Sequence, residues 1–554
     1  MRAMFRRRPA PLGAALALVL AVAFLSLLFL PAKDEANLRL VLAWRPEAEP
    51  LLVMAVLAAL ALAGRSLRPA GRWLLALLLC IAALLQFADA AMLGIFDRDL
   101  NLYLDLPHVP SVLGLFWDAA GPWRGGAEIA AAALGAIAAI AAIAAVLGLA
   151  QRALAPRRHA ATCLAFVAVA LALGSLPIYG GESLLAARTA SALGDQAARL
   201  YRSWAVMSGH DQRYAGALAA PQPPLGPLPG LKQRDVYVVF FESYGTIVLD
   251  EPRYAASVLP ALGDFAATVS AAGYHLASSR IVSPTFGGGS WLAHGSIAAG
   301  VKLDPLLARL IAASARRTLP RYMSAAGYRT VEIMPGLKTP PPESAFWGFD
   351  KSDMAADLGY EGPPFGWFGI PDQYTLARFD ATEAAPGHAP LFAQIVLVSS
   401  HTPFAPVPPY VADGQEGDLY RGIAPSEWQR IYAPPDWSRL DEPYLASVVY
   451  DLKTLGAWLA RRPGDGLVII LGDHQPPGFI AGEKQPWTVP IHVLSRDAEL
   501  VRPFEAAGYA AGAVPPAAGP FKGMETFLGD FLAAFSHPPA TVAARRGTPE
   551  HVND

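Results

Sequence analysis

Cysteine is almost missing from this chain. The 554 residues hold two, Cys80 and Cys163, each inside an apolar run. So placed, they build neither a disulfide framework nor a CxxC metal site, and they read as small buried residues. Charge is scarce too: Asp, Glu, Lys and Arg make up 16% of the chain and balance to a formal net charge of −2. Without a basic excess, nothing points to nucleic acid as a partner. No internal repeat of solenoid period is apparent. What dominates is apolar, with 53% hydrophobic residues and a mean hydropathy of +0.32. The length exceeds one ordinary domain, so an integral membrane protein with a further domain is expected.

The apolar residues gather at one end. After Arg2, Arg6, Arg7 and Arg8 comes a run over 11–31, long enough to span a bilayer and read as an uncleaved anchor. Further spans are expected over 48–64, 73–95, 128–150 and 160–178. Arg65, Arg68 and Arg72 occupy the second inter-span loop, and Arg152, Arg157 and Arg158 the fourth. Short basic loops stay in the cytoplasm, so five spans put the N-terminus inside and everything after Tyr179 outside. Segment 96–126 has Asp97, Asp99, Asp105 and Asp118 against Arg98 and Arg124, which suits the outer side. Its apolar stretch 100–117 suits the membrane interface.

Segment 180–218 reads as juxtamembrane amphipathic helix, and the proline-rich stretch 221–230 as a semi-rigid spacer. Beyond it, unbroken β-prone runs at 236–241, 391–398, 467–471 and 489–494, with a weaker one at 330–334, alternate with helical patterns at 260–272, 318–326, 443–461 and 524–535. This is an α/β domain with a mainly parallel sheet, in which ligands bind beyond the carboxyl ends of the strands. The domains expected are 1–179 (membrane anchor), 180–233 (juxtamembrane helices and linker), 234–540 (catalytic domain) and 541–554 (tail).

The residues following those strands carry the chemistry: Glu242-Ser243-Tyr244-Gly245, Ser399-Ser400-His401-Thr402-Pro403-Phe404 and Gly472-Asp473-His474-Gln475. Between them, Gly287-Gly288-Gly289-Ser290 precedes a helical pattern. Glycines let the backbone approach a ligand, and a helix start favours an anion. A serine there is either an ordinary N-cap or a nucleophile facing a phosphate- or sulfate-like group. Two carboxylates and two histidines at strand ends suit a divalent ion such as Mn²⁺ or Zn²⁺, which would lower the pKa of the Ser290 hydroxyl. His294 reads as a structural helix residue and His492 as core.

The order strand–Glu, Gly-rich loop with a hydroxyl, strand–Ser-His-x-Pro-Phe, strand–Gly-Asp-His resembles the lipoteichoic acid synthase group of membrane-bound sulfatase-like proteins, in the alkaline phosphatase superfamily. The resemblance covers about 234–494 and extends to the five-span anchor. It implies an N-terminal transmembrane helical bundle and an extracytoplasmic alkaline-phosphatase-like domain in a bacterial-type inner membrane. It further implies that Glu242, Ser290, Asp473 and His474 hold one divalent ion, of Mn²⁺ type with Zn²⁺, Mg²⁺ and Ca²⁺ as alternatives. Ser290 would carry a covalent phosphoryl intermediate, where the family uses threonine. His401 would contact substrate and assist proton transfer, and Trp347 matches a substrate-side tryptophan. The donor would be a membrane phospholipid and the acceptor an envelope glycan or lipid, in transfer of a phosphoglycerol-type head group.

The sequence departs from that family in places. In Phe346-Trp347-Gly348-Phe349-Asp350, Phe349 takes the position of the family's substrate-gripping arginine, leaving Lys338 and Lys351 as nearby cations. Trp291 follows the nucleophile where a small polar residue is usual. The alternatives are a hydrolase of phosphate or sulfate esters using the same site, and an inactive envelope-binding relative. Ser290-Trp291-Leu292-Ala293-His294 lacks the proline and arginine of a formylglycine sulfatase motif, and the outer domain lacks the cysteines usual in phosphoethanolamine transferases.

Overall fold

A computed structural model describes residues 11–538, apart from 35–38, 43–46, 121, 180–181, 386, 413–418, 421–422, 433–435, 437 and 483. The arginines before residue 11 and the tail 541–554 lie outside the described residues. The chain divides into two compact units: Met1–Gln212 with Pro477–Gln485, and Arg213–Pro476 with Pro486–Asp554. The division at 212/213 falls in the segment read as juxtamembrane helix, ahead of the proline-rich spacer 221–230, and a nine-residue segment from beyond it clusters with the first unit.

The first unit is helical. Its helices are α1 (Pro11–Leu27), α2 (Glu49–Leu62), α3 (Pro69–Phe96), α4 (Val109–Ala120), α5 (Pro122–Leu154), α6 (Arg157–Gly174) and α7 (Arg188–Met207). Three stretches, Pro69–Phe96, Trp123–Leu154 and Arg157–Gly174, are long and apolar enough to cross a membrane, while the helices at the other two expected spans are shorter and apolar. Ala58, Ala76, Ala144 and Ala150 are buried where helices meet, because small side chains allow close packing. Leu74, Leu78 and Leu84 point outward. Several buried polar groups bond between segments of this unit. Asp89 of α3 accepts from the Leu100 amide at 2.9 Å, Gln86 accepts from Thr189 Oγ of α7 at 2.9 Å, and buried Glu47 pairs with Arg188 at 2.5 Å.

The second unit is built on one mixed eight-stranded sheet. Its strands are β1 (Val236–Phe241), β2 (His275–Val282), β3 (Arg329–Met334), β4 (Lys351–Met354), β5 (Leu391–Val396), β6 (Leu467–Gly472), β7 (Thr488–Ser495) and β8 (Ala510–Ala511). The spatial order is β8-β2-β7-β6-β1-β5-β3-β4. From β6 to β4 the neighbours run parallel, whereas β7, β2 and β8 pair antiparallel. Every residue of β1, β5 and β6 is buried, which is why these strands read as unbroken apolar runs rather than alternating ones.

The strand expected at 489–494 is therefore present but reversed in direction relative to the parallel block. Strands β2, β4 and β8 extend the sheet beyond the sequence reading. Helix α8 (Pro252–Ala271) starts eight residues before the expected position and carries Pro260 in its interior. Pro252 at its first position costs nothing, since that amide has no intrahelical acceptor. The remaining helices that matter below are α9 (Ser290–Ala299), α10 (Leu319–Ala325), α11 (Asp372–Thr382), α12 (Asp441–Arg461) and α13 (Phe527–Phe535).

Candidate active site

Strands β6 and β1 lie side by side and end together, Gly472 opposite Phe241. The next residues of each strand, Asp473-His474 and Glu242, therefore emerge at one point. Ser243 takes φ 54°, and its amide donates to Asp473 Oδ1 at 2.8 Å. A second amide, that of His474, donates to the same oxygen at 2.7 Å. Two backbone donors hold one carboxylate oxygen, while Asp473 Oδ2 is buried without a hydrogen-bond partner. Buried anionic oxygens are seldom left so unless something cationic belongs there.

The glycine loop brings in the fourth group. Gly289 at φ 76° is the N-cap of α9 and gives no side-chain cap, and Ser290 is the first helical residue. The Ser290 hydroxyl bonds to groups outside the helix. Its Oγ lies 3.1 Å from Glu242 Oε2 and 3.1 Å from His474 Nε2, so the plain N-cap reading does not describe it. His474 Nδ1–H donates to the Gln475 carbonyl at 2.7 Å. That bond turns Nε2 toward Glu242 Oε1 at 3.4 Å and Asp473 Oδ2 at 3.7 Å. One ligand atom from each of Glu242, Asp473 and His474 lies within 4.8 Å of the others.

The electrostatics fit a cation. Burial, then the charge of Asp473, push the Glu242 carboxyl well above its ordinary range. Burial also acts to raise Asp473, but the neighbouring His474, first among the opposing influences, and the Ser243 amide outweigh it and lower its pKa. Two carboxylates, an imidazole with its second nitrogen fixed by a carbonyl, and a hydroxyl form a donor set suited to a divalent ion of Mn²⁺ or Zn²⁺ type.

Supporting groups surround this set. Ser400 Oγ donates to the Glu242 carbonyl at 2.7 Å, Ser283 Oγ to the Asp473 carbonyl at 2.6 Å, and Tyr444 OH to the Ser243 carbonyl at 2.9 Å. Sequence reasoning assigned these groups no role, and isolated serines and tyrosines carry no pattern that would reveal one.

The chain is similar to the lipoteichoic acid synthase LtaP of Listeria monocytogenes. Identity with that structure is 14%, coverage is 59% of this chain and 78% of that one, and the TM-score is 0.38. The soluble domain of lipooligosaccharide phosphoethanolamine transferase A from Neisseria meningitidis is 13% identical over 57% of this chain and 91% of that one, with a TM-score of 0.36. The Streptococcus pyogenes phosphoglycerol transferase GacH, in complex with sn-glycerol-1-phosphate, is 12% identical over 60% and 92%, with a TM-score of 0.32. No family model and no curated protein matches the chain.

The other expected residues fall in different places. His401 is half-buried between Trp367 and Phe368, with ring centroids 5.8 Å and 4.6 Å away. Its Nδ1–H donates to the Thr402 carbonyl at 2.6 Å, and burial lowers its pKa to about 4, so Nε2 carries a lone pair at neutral pH. Trp347 packs on the nucleophile's helix, against the bare Cα of Gly295. His294 lies against Phe240 at 4.1 Å. His492 is core, accepting or donating to Tyr244 OH at 3.2 Å and Ser278 Oγ at 2.8 Å.

Phe349 is stacked on Phe392, 6.3 Å away. Phe392 pairs with Val236, six residues before Glu242, or ~20 Å along the strand at ~3.3 Å per residue. Phe349 thus belongs to the opposite end of the sheet. Lys351 is held there too, by Asp353 at 2.9 Å and Glu383 at 2.6 Å. Lys338, in contrast, follows the carboxyl end of β3 and is exposed.

Proposed function

We propose that this chain is a membrane-bound, divalent-metal-dependent transferase that moves a phosphoryl-linked head group, of phosphoglycerol type, from a lipid to an envelope acceptor. The observation that carries the reading is the convergence of Ser290 Oγ, at the start of a helix, with Glu242 and His474 at 3.1 Å each. Glu242, Ser290, Asp473 and His474 would hold the metal, which supplies charge neutralisation and a lowered hydroxyl pKa when bound.

Ser290 Oγ attacks the phosphorus of the head group, giving up its proton as the new P–O bond forms. The bond to the lipid oxygen breaks, and that oxygen leaves with a proton as a lipid alcohol. The α9 N-terminus faces the resulting phosphoserine ester with unpaired amides. An acceptor hydroxyl then attacks the ester, its proton passing to a neutral base within reach, and Ser290 is released. His401 Nε2, left with its lone pair while Nδ1–H donates to the Thr402 carbonyl, suits that proton.

The apolar helices and the basic inter-span loops support a multi-pass protein with five spans, a cytoplasmic N-terminus and an outward catalytic domain. The test is to supply the full-length protein with Mn²⁺ and mixed anionic phospholipids, then search for a mass adduct on Ser290. An adduct absent from Ser290→Ala supports transfer, and its mass names the group. Released head group without an adduct, still lost in Ser290→Ala, supports a hydrolase instead. Neither product over a broad lipid and ester panel refutes the enzyme reading.

A further inference from the structure

Two carboxyl groups outside the metal-ligand set are completely buried. Asp372, the first residue of α11, and Asp451, on the inner face of α12, both have zero exposure. Their environments differ. Asp372 accepts from two amides, Val398 N through Oδ1 and Ser399 N through Oδ2, each at 2.8 Å. Its own amide donates to Ser399 Oγ at 3.1 Å. Among the described residues, neither oxygen of Asp451 accepts a hydrogen bond from an N–H or hydroxyl donor. Asp372 and Ser400 lie beside it, as does the Tyr450 hydroxyl, and Ser400 gives its one proton to the Glu242 carbonyl at 2.7 Å.

Two ionised carboxylates side by side in a buried site repel strongly, and such pairs hold a proton in common. The hydrogen-bond pattern says where the proton sits. Both oxygens of Asp372 already face amide donors, which favours its anion; Asp451 has no amide donor among the described residues, which favours its acid. Burial, followed by the Asp372 charge, raises Asp451 well above its ordinary range, in agreement with that geometry.

The segment so gripped leads to His401. Val398 and Ser399 begin a turn closed by the His401 amide on the Val398 carbonyl at 3.1 Å, and Ser400 links the turn to Glu242. We propose that Asp451 is a buried acid sharing its proton with Asp372, and that the pair positions the Val398–Ser400 turn and with it the His401 ring. Both are positioning residues. The catalytic consequence rests on the reading of His401 given above, whereas the shared proton does not.

The experiment compares wild type, Asp451→Asn, Asp451→Leu and Asp372→Asn as full-length protein. Infrared difference spectra in light and heavy water read the carbonyl stretch of a protonated carboxylic acid. Hydrogen exchange reads the Val398 and Ser399 amides. A band lost in Asp451→Asn, together with amide exchange at least tenfold faster in Asp451→Leu and Asp372→Asn, is expected. Asp451→Asn retains a donor toward Asp372 and should exchange like wild type. No acid band in wild type, or a band unchanged by Asp451→Asn, overturns the shared proton. Equal exchange in all four proteins overturns the positioning of the turn.

A second equivalent of bound metal, lost in Asp451→Asn, would also overturn the proposal by assigning the pair to a cation. With turnover in hand, Asp372→Asn should lower kcat at least tenfold with KM and metal content within twofold. Should wild type itself show no turnover, the transferase reading falls while the infrared and exchange results still decide the pair.

Discussion

Replacing Asp473 by Asn should make the metal-free protein more stable while abolishing its response to metal. In the wild type, ligand oxygens of Glu242 and Asp473 lie within 4.8 Å of each other at 4% and 0% exposure. At an effective dielectric of ~20, two such charges repel by about 3.5 kcal/mol at that separation. Asparagine removes the repulsion and keeps Oδ1 to accept from the Ser243 and His474 amides. Those two bonds then end on a neutral acceptor, which weakens each by roughly 1 kcal/mol. The balance is about 1.5 kcal/mol in favour of the variant, or ~3 °C in Tm for a domain of this size. The gain holds while Glu242 is ionised; its protonation removes the repulsion and reverses the sign, so the comparison is made on the alkaline side, where the raised Glu242 carboxyl is charged. With metal, the order reverses. At a hundredfold excess over Kd the wild type gains about 2.7 kcal/mol, and the variant, lacking an anionic ligand, gains little. The assay is thermal unfolding by tryptophan fluorescence in chelator and in Mn²⁺, with metal content measured in parallel. A variant that melts lower than wild type in chelator, or that still gains stability from Mn²⁺, would refute the reasoning.

Further outcomes follow from other parts of the site. His401→Ala should lower kcat by ~10²–10⁴ with metal content unchanged, the range usual for losing a general base; retention of full turnover removes His401 from the reaction. Lys338→Ala should raise KM for an anionic donor several-fold, because its loop runs past Phe368, which abuts His401. Lys351→Ala should leave kinetics alone and cost less than ~1 kcal/mol, as for other partly exposed ion pairs. A Cβ at Gly472 would overlap the Tyr244 carbonyl oxygen, so Gly472→Ala should displace Asp473 and lose metal or fold, read by metal analysis and circular dichroism. Burial lowers His294, His401 and His492 to about 4. Their folded pKa values lie below the ordinary 6.5, so their contribution to stability is intact above that value and is lost as pH falls toward 4. The unfolding free energy should drop by up to ~4 kcal/mol per pH unit across that window, and His492→Gln should remove about a third of the slope.

Much of the architecture around β1, β5 and β6 was legible because those strands are buried on both faces, and burial on both faces writes itself as a continuous apolar run. The residues just past such runs, Glu242, His401, Asp473 and His474, stood out for the same reason. Strand β2 did not, since HLASSRIV is half polar and earns its place by pairing with β7 on one side and β8 on the other. The direction of β7 was equally hidden, because an apolar run reads the same in a parallel or an antiparallel neighbour. Local sequence also misled. The Phe346–Asp350 stretch invited a comparison that put Phe349 in the substrate site, whereas packing on Phe392 draws it to the far end of the sheet. Asp372 and Asp451 are 79 residues apart and neither lies in a motif. Only the meeting of two helices makes them a pair.

The parallel pairing of β1 with β6 also sets a timetable. Val236 and Leu467 are register partners, so 230 residues of chain must be synthesised between the first ligand strand and its neighbour. Glu242 and Ser290 emerge early, each without the groups that would complete a coordination shell. Contacts this remote in sequence form late, after the intervening loop entropy has been overcome. Metal acquisition should therefore be among the last events of biogenesis, and a nascent chain arrested before Gly472 should bind no ion at this site.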